Sequence, residues 1–203
     1  MDQSARIKAE AHRRGVACLF HFTRIENLRA IAHVGLVPRG MLQDAGIDHV
    51  ASDGMRLDDP MLTRGGPVCL SVSDVYEAMF AAKRSRDPEA RWIVLGIEPS
   101  VLWTHRCEFY ASNAASAGMT KGQSRRWLAW YFADMFRGTD LRDPMPTDVG
   151  AEVQVSGVVD PRLIRGVWTD RPGAAREVAR ILDGSPAGRA SIHVSQFRSL
   201  RQV

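Results

Sequence analysis

A chain of 203 residues fits one domain with small appendages and is cramped for two. With 45% hydrophobic and 25% charged residues it has a globular balance, which excludes a disordered chain and a disulfide-dependent miniprotein. The formal charge is +4 and the pI about 9.3, and all but three of the 27 basic residues are arginine. Arginine presents a planar donor fork suited to phosphates, so this balance favours an anionic partner, with a merely solvated surface as the plainer reading. No apolar run reaches the roughly 18 residues of a membrane span, so no membrane partner is expected. The polar start, Met1 to Gly15, lacks the apolar stretch of a secretory signal, and the expected compartment is the cytoplasm. Cys18, Cys69 and Cys107 lie among apolar residues without a CxxC pair or a histidine doublet, and read as reduced core residues with no metal.

In chain order, residues 1–15 read as a polar lead-in helix and residues 17–20 as a core strand continuing through His21, Phe22 and Thr23. A helix follows, with Thr23 as its cap, Glu26 reaching back, and Ile25, Leu28, Ile31 and Ala32 at helical spacing until Gly35 stops it. Residues 37–67, rich in Gly, Asp and Pro, form a long loop with one helical turn at most. A strand over 67–72 leads into a helix capped by Ser73 or Asp74 and running to about Arg84, and residues 91–97 form a strongly apolar strand. Residues 122–137 read as an aromatic-rich helix. Over 149–155 the alternation puts Val149, Ala151, Val153 and Val155 on one side and Glu152 and Gln154 on the other, so a carboxylate and an amide share a sheet face. Residues 166–169 form a further strand and 173–182 a helix, followed by a polar tail. Strands and helices without regular alternation indicate an α+β domain.

The chain has no Walker loop, no GxGxxG opening a helix, no GxSxG elbow and no HExxH, which lowers the expectation of a P-loop, Rossmann, esterase or zincin chemistry. Polar residues at strand ends remain. Each has a plain structural role: Thr23 as a helix cap, His21 as a core histidine, Arg56 paired with Asp53 or Asp58, Glu152 facing Arg165 or water, Asn113 as a turn or cap residue.

Taken together, the segments resemble the DarT family of nucleic-acid ADP-ribosyltransferase toxins. The likeness is carried by Leu19-Phe20-His21-Phe22-Thr23 with Asn27-Leu28, by Met55-Arg56-Leu57-Asp58, and by Cys69-Leu70-Ser71-Val72-Ser73 leading to Tyr76. It continues through Trp92-Ile93-Val94-Leu95, Val101-Leu102-Trp103, Cys107-Glu108-Phe109, Asn113-Ala114-Ala115 and Pro146-Thr147-Asp148 to Ala151-Glu152-Val153, covering about residues 17–169. It implies one ADP-ribosyltransferase-like domain over 1–203, with a C-terminal helix and tail over 170–203. The fold would be an α+β split β-sheet with NAD in the cleft. By that likeness, His21, Phe22, Thr23, Asn27, Arg56, Ser71 and Tyr76 would hold NAD, with Arg56 on its diphosphate or ribose and counted with Glu152 as catalytic. Asn113, Arg125 and Arg126 would contact single-stranded DNA, with Arg125 and Arg126 on the solvated face of the aromatic helix as the plain alternative. The partner would be an antitoxin of the ADP-ribosyl hydrolase type, and guanine the modified base. The alternatives are a transferase acting on RNA or protein, or a non-catalytic nucleic-acid-binding domain. Two departures from the family pattern stand out: Glu152 precedes Gln154 where the familiar toxin motif has its glutamate last, and Ser73-Asp74-Val75 replaces Phe-Pro-Asn.

Overall fold

The computed structural model describes residues 2–42, 44–47, 66–116, 119, 126–197 and 200. Seven strands form one open sheet: β1 Leu19–Arg24, β2 Val68–Val72, β3 Trp92–Ile97, β4 Cys107–Tyr110, β5 Glu152–Val155, β6 Ile164–Thr169 and β7 Ser191–Val194, in the order β4-β5-β2-β1-β3-β6-β7. The helices are α1 Gln3–Arg14, α2 Leu28–Val34, α3 Arg39–Leu42, α4 Glu77–Arg86, α5 Val101–Thr104, α6 Ala129–Asp134 and α7 Pro172–Leu182. Among the described residues no helix is long and apolar enough to cross a membrane. The mixture is α+β, as the unpatterned order of elements implies.

The expected split lies inside this sheet. Against β3, β1 pairs along six positions, from Leu19↔Ile97 to Arg24↔Trp92. Against β2 it pairs at only two, Leu19↔Val72 and Phe20↔Ser71. Beyond Phe20 the two strands separate, leaving β4-β5-β2 and β1-β3-β6-β7 as two wings joined at a short seam.

The wings bury the same face and differ on the other. Leu19, Leu70, Val153, Phe109, Leu95 and Val167 point into one apolar core, roofed by α1, α2, α6 and α7. On the reverse face, the β1-β3-β6 wing carries an aromatic cluster: Phe80 of α4 stacks on Phe22 at 4.7 Å and meets Trp92 edge-on at 5.7 Å. Gly96 and Gly166 lie under the indole of Trp168, where a Cβ on either would come within 2.6–2.8 Å of the ring. Among the described residues the reverse face of the β4-β5-β2 wing has no such aromatic cluster. Register places Glu108, Tyr110, Glu152, Gln154, Cys69 and Ser71 there, all polar or sulfur-bearing.

Several local expectations yield to tertiary contacts. Thr23 is a buried strand residue whose hydroxyl accepts from Asn27 Nδ2 at 3.0 Å; a 3-10 turn over Ile25–Asn27 precedes α2, and no side chain caps it. Glu26 accepts from Arg91 instead, because that ion pair ties the turn to the start of β3. Asp74 does not cap α4: its Oδ1 accepts from the Val75 N–H at 2.8 Å and the Leu200 N–H at 3.3 Å, fastening the end of β2 to the C-terminal segment. The tail after α7 contains β7, which pairs parallel with β6 and stacks His193 on Trp168 at 4.7 Å. Val149 lies outside β5 and is 61% exposed, so the buried run begins at Ala151. The aromatic helix is shorter than 122–137; its helical part is α6, and residues 120–125 lie outside the described residues. Cys69 is exposed, whereas Cys107 is buried and Cys18 intermediate.

Gly35 ends α2 at φ +89°, and a Cβ there would stand 2.1 Å from the Val159 carbonyl oxygen, which accepts the Leu36 N–H. Neither the backbone conformation nor the neighbour can give, since the neighbour is main chain. Gly35→Ala is therefore expected to destabilise the fold by at least about 1–3 kcal/mol, the range for overpacking. Urea denaturation reads this as a lower midpoint at an unchanged m-value.

Candidate active site

The site is built where the seam opens. As β1 leaves β2, the Cys69 carbonyl loses a strand partner, and His21 supplies one: Nδ1–H donates to that oxygen at 2.9 Å. A carbonyl only accepts, so this bond fixes the proton on Nδ1 and leaves the Nε2 lone pair as an acceptor. Burial holds the imidazole below its ordinary pKa against the opposing effect of the carbonyl, so the ring is neutral at pH 7.

Glu152 stands at the start of β5, in register with Ser71 on β2 and Tyr110 on β4. Its Oε1 accepts from Gln154 Nε2 at 3.0 Å, two residues on along the same face, and its Oε2 lies 3.3 Å from the Ala114 N–H of the loop after β4. That loop is folded by Asn113, whose Oδ1 accepts from the Ala115 N–H at 2.8 Å. Tyr76 reaches the same corner from the approach to α4: a Cβ on Gly150 would lie 3.4 Å from Tyr76 Cζ and 3.5 Å from the Asn113 nitrogen. Asp148 closes the turn by accepting the Gly150 N–H at 2.7 Å.

Cys69 lies on the cleft floor, where solvent reaches it while protein crowds it. Its thiol is 3.8 Å from the Pro67 carbonyl. Desolvation first, then the charge and hydrogen bond of Glu152, push the thiol well above its ordinary pKa; Lys83 of α4 pulls the other way. The exposed sulfur is therefore un-ionised and a poor nucleophile. Beside it, Tyr110 donates to Glu108 Oε2 at 2.9 Å, and its hydroxyl is raised by burial and then by that carboxylate.

Of the residues singled out in the sequence, the fold gathers Glu152, Ser71, Tyr76, Asn113 and His21 around the opening. Thr23 and Asn27 bond to each other farther along β1, and Phe22 packs into the aromatic cluster. Arg56 and Arg125 lie outside the described residues. Arg126 is only 4% exposed; its guanidinium lies over the rings of Tyr110 (4.4 Å) and Tyr131 (5.5 Å) and donates to the Met119 carbonyl at 2.8 Å. Tyr110 and Lys83 were missed by sequence reasoning, and Cys69 and Glu108 entered it only within the segments that carry the likeness, without a role at the site. Only Gln154 carried a signal, its alternation with Glu152. No cluster of three or more metal-ligating side chains occurs among the described residues.

Residues 20–198 match the family model described as "DarT: ssDNA thymidine ADP-ribosyltransferase, DarT". No curated protein matches the chain. Solved structures of similar fold include Thermus sp. 2.9 DarT in complex with carba-NAD+, at TM-score 0.57 and 14% identity, covering 89% of this chain and 96% of that one. The complex of Thermus sp. 2.9 DarT with ADP-ribosylated ssDNA has TM-score 0.51 and 14% identity, covering 90% and 95%. Thermosipho africanus DarTG in complex with ADP-ribose has TM-score 0.54 and 14% identity, covering 88% of this chain; this chain spans half of that one.

The thiol offers a direct check of the geometry. Cys18 and Cys107 are held at a pKa of about 12 by burial, so neither competes for an alkylating reagent. Cys69 is expected to react slowly with iodoacetamide at pH 8 despite its exposure. Removing the neighbouring charge with Glu152→Gln lowers the thiol pKa and raises its thiolate fraction, so labelling of the Cys69 peptide, followed by mass spectrometry, is expected to speed up.

Proposed function

The chain belongs to the DarT family of ADP-ribosyltransferases, and on that premise we propose that its cleft takes NAD and transfers ADP-ribose to a nucleobase of single-stranded DNA. The observation that carries the reading is the Glu152 carboxylate at the mouth of the split sheet, held by an amide and a backbone N–H beside a neutral histidine. Complexes of Thermus sp. 2.9 DarT with NAD+ and with ADP-ribosylated ssDNA, on the same fold, support the two substrates.

The chemistry suits these residues. The bond between ribose C1′ and the nicotinamide nitrogen breaks, the nicotinamide leaves with the electron pair, and positive charge develops on the ribose. Glu152 stabilises that charge electrostatically. A base nitrogen then bonds to C1′, and the proton it loses passes to the carboxylate. His21 accepts a ribose hydroxyl at Nε2, while Ser71 and Tyr76 flank the reacting end; Thr23 and Asn27 line the cofactor's side of β1. Arg56 holds the diphosphate by charge-assisted hydrogen bonds. Asn113 shapes the loop that meets the acceptor base, a base reachable only when unstacked. The motifs Arg56-Leu57-Asp58 and Leu70-Ser71-Val72-Ser73 support guanine as that base, while the matched family model is described by thymidine. The similarity to DarTG supports a toxin with a neutralising ADP-ribosyl hydrolase partner.

Incubation with labelled NAD and single-stranded oligonucleotides containing one candidate base each tests the reading. Transfer to a guanine-bearing strand is expected; transfer to thymine alone replaces guanine, and transfer only to RNA or protein overturns the DNA reading. Glu152→Gln is expected to lower the transfer rate by about 10²–10³ or more, with NAD affinity nearly unchanged. For the diphosphate clamp, Arg56→Ala should weaken NAD binding by about 1.5–3 kcal/mol in calorimetry.

A further inference from the structure

A run of planar groups leads from the catalytic carboxylate to the surface. Tyr110 is the β4 register partner of Glu152. The Arg126 guanidinium lies 4.4 Å from the Tyr110 ring centroid and 5.5 Å from that of Tyr131. Tyr131 in turn stacks on Trp130, with centroids 3.8 Å apart and planes 27° from parallel. Arg126, donating to the Met119 carbonyl at 2.8 Å, braces the middle of the run rather than reaching solvent.

The run ends in the open. α6 turns Ala129 and Phe132 into the core, while Trp130 is 53% exposed and Trp127, one residue after Arg126, is 44% exposed. One face of the Trp130 indole is held against Tyr131, and among the described residues no other ring stacks on it. Two large indoles three residues apart in sequence are thus left open to solvent.

We propose that the exposed side of Trp130 is a stacking subsite for an unmodified nucleobase of the single-stranded substrate, a few nucleotides from the base that reacts. This rests on the DNA reading above. Three observations select a base over an apolar protein segment as the occupant. Through Tyr131 and Arg126 the indole is tied to Tyr110 on the edge strand β4, the register partner of Glu152, so it sits at the edge of the wing that carries the carboxylate. The indole is pre-oriented by Tyr131, which suits a flat ligand whose every base has a π face. The chain is basic, at +4, which favours a polyanion over a neutral partner.

The test uses the full chain with NAD and single-stranded oligonucleotides that carry the acceptor base at one end and grow from two to ten nucleotides. For the parental protein, kcat/KM is expected to rise with length. In Trp130→Ala that rise should shrink by about 5- to 100-fold, the loss of one stacked base. Transfer to the dinucleotide and NAD affinity should stay at parental values. Trp130→Phe should restore most of the length dependence, and Trp130→Gln should reproduce the loss with a side chain that tolerates water, which guards against a misfolded alanine variant. Parental length dependence in Trp130→Ala overturns the subsite. An equal loss at every length, together with weaker NAD binding, also overturns it and makes Trp130 a structural brace for Tyr131 and Arg126. A parental protein that modifies no DNA of any length overturns the DNA reading itself, a different result from either.

Discussion

The site depends on a mismatch in strand pairing. β1 is held along its length by β3 but touches β2 at two positions only, so the sheet is continuous at Leu19 and Phe20 and open from His21 onward. Opening a sheet exposes backbone groups that must find other partners. The His21 ring supplies one, bonding the Cys69 carbonyl across the gap at 2.9 Å. What draws β1 toward β3 is apolar: Phe22 is sandwiched into the cluster of Phe80 and Trp92, a contact available only on the β3 side. Burial on one wing and hydrogen bonding across the gap thus act together, and the cleft follows from where the aromatic residues stop.

That division also sets the electrostatics. The β4-β5-β2 wing presents its polar face to the opening, and the groups that donate to Glu152 among the described residues are neutral: an amide and a backbone N–H. Neutral donors orient a carboxylate without cancelling its charge, whereas a bonded guanidinium would already have satisfied it. Arg126, the buried cation nearest on the sheet side, is turned to Tyr110 and Tyr131 and forms no ion pair with Glu152. Among the described residues no cation is bonded to the carboxylate, an arrangement that suits the role proposed for it, in which a cation forms only during reaction.

Legibility in the sequence followed the range of the forces involved. β3, with every residue buried, and α7, with its apolar stripe, are decided within their own segments, and so were read correctly. Glu152 and Gln154 were placed on one face by alternation alone. β7 was missed because Ser191–Val194 is too short to show a period and exists through its pairing with β6. Thr23 looked like a cap because local spacing offered one, and became a strand residue because six pairs with β3 outweigh one cap. Cys69 looked like core because Val68 and Leu70 flank it. Its exposure follows from facing the half of the sheet that carries no aromatic cluster among the described residues, and that depends on β1 parting from β2, a relation between distant segments no local pattern records. The resemblance to a family supplied what pattern could not: that His21 and Glu152, 131 positions apart in sequence, belong to one cleft.

The arginine excess has a different meaning in three dimensions from the one composition gives it. Arg14 bonds Glu10 and Thr139, Arg24 bonds Asp87 over the Trp92 ring, Arg91 joins Glu26 to Glu177, and Arg126 lies between two tyrosines. These guanidiniums are used as struts, each linking segments far apart in the chain through planar, multiply bonded geometry that lysine does not offer. A net charge of +4 therefore raises the local concentration of a polyanion, and these four arginines lay out no path for it. A path requires directional contacts, and among the described residues Trp130, stacked on Tyr131 and 53% exposed, is a group with direction. Attraction from overall charge and register from stacking are separable requirements, and the fold meets them with different residues.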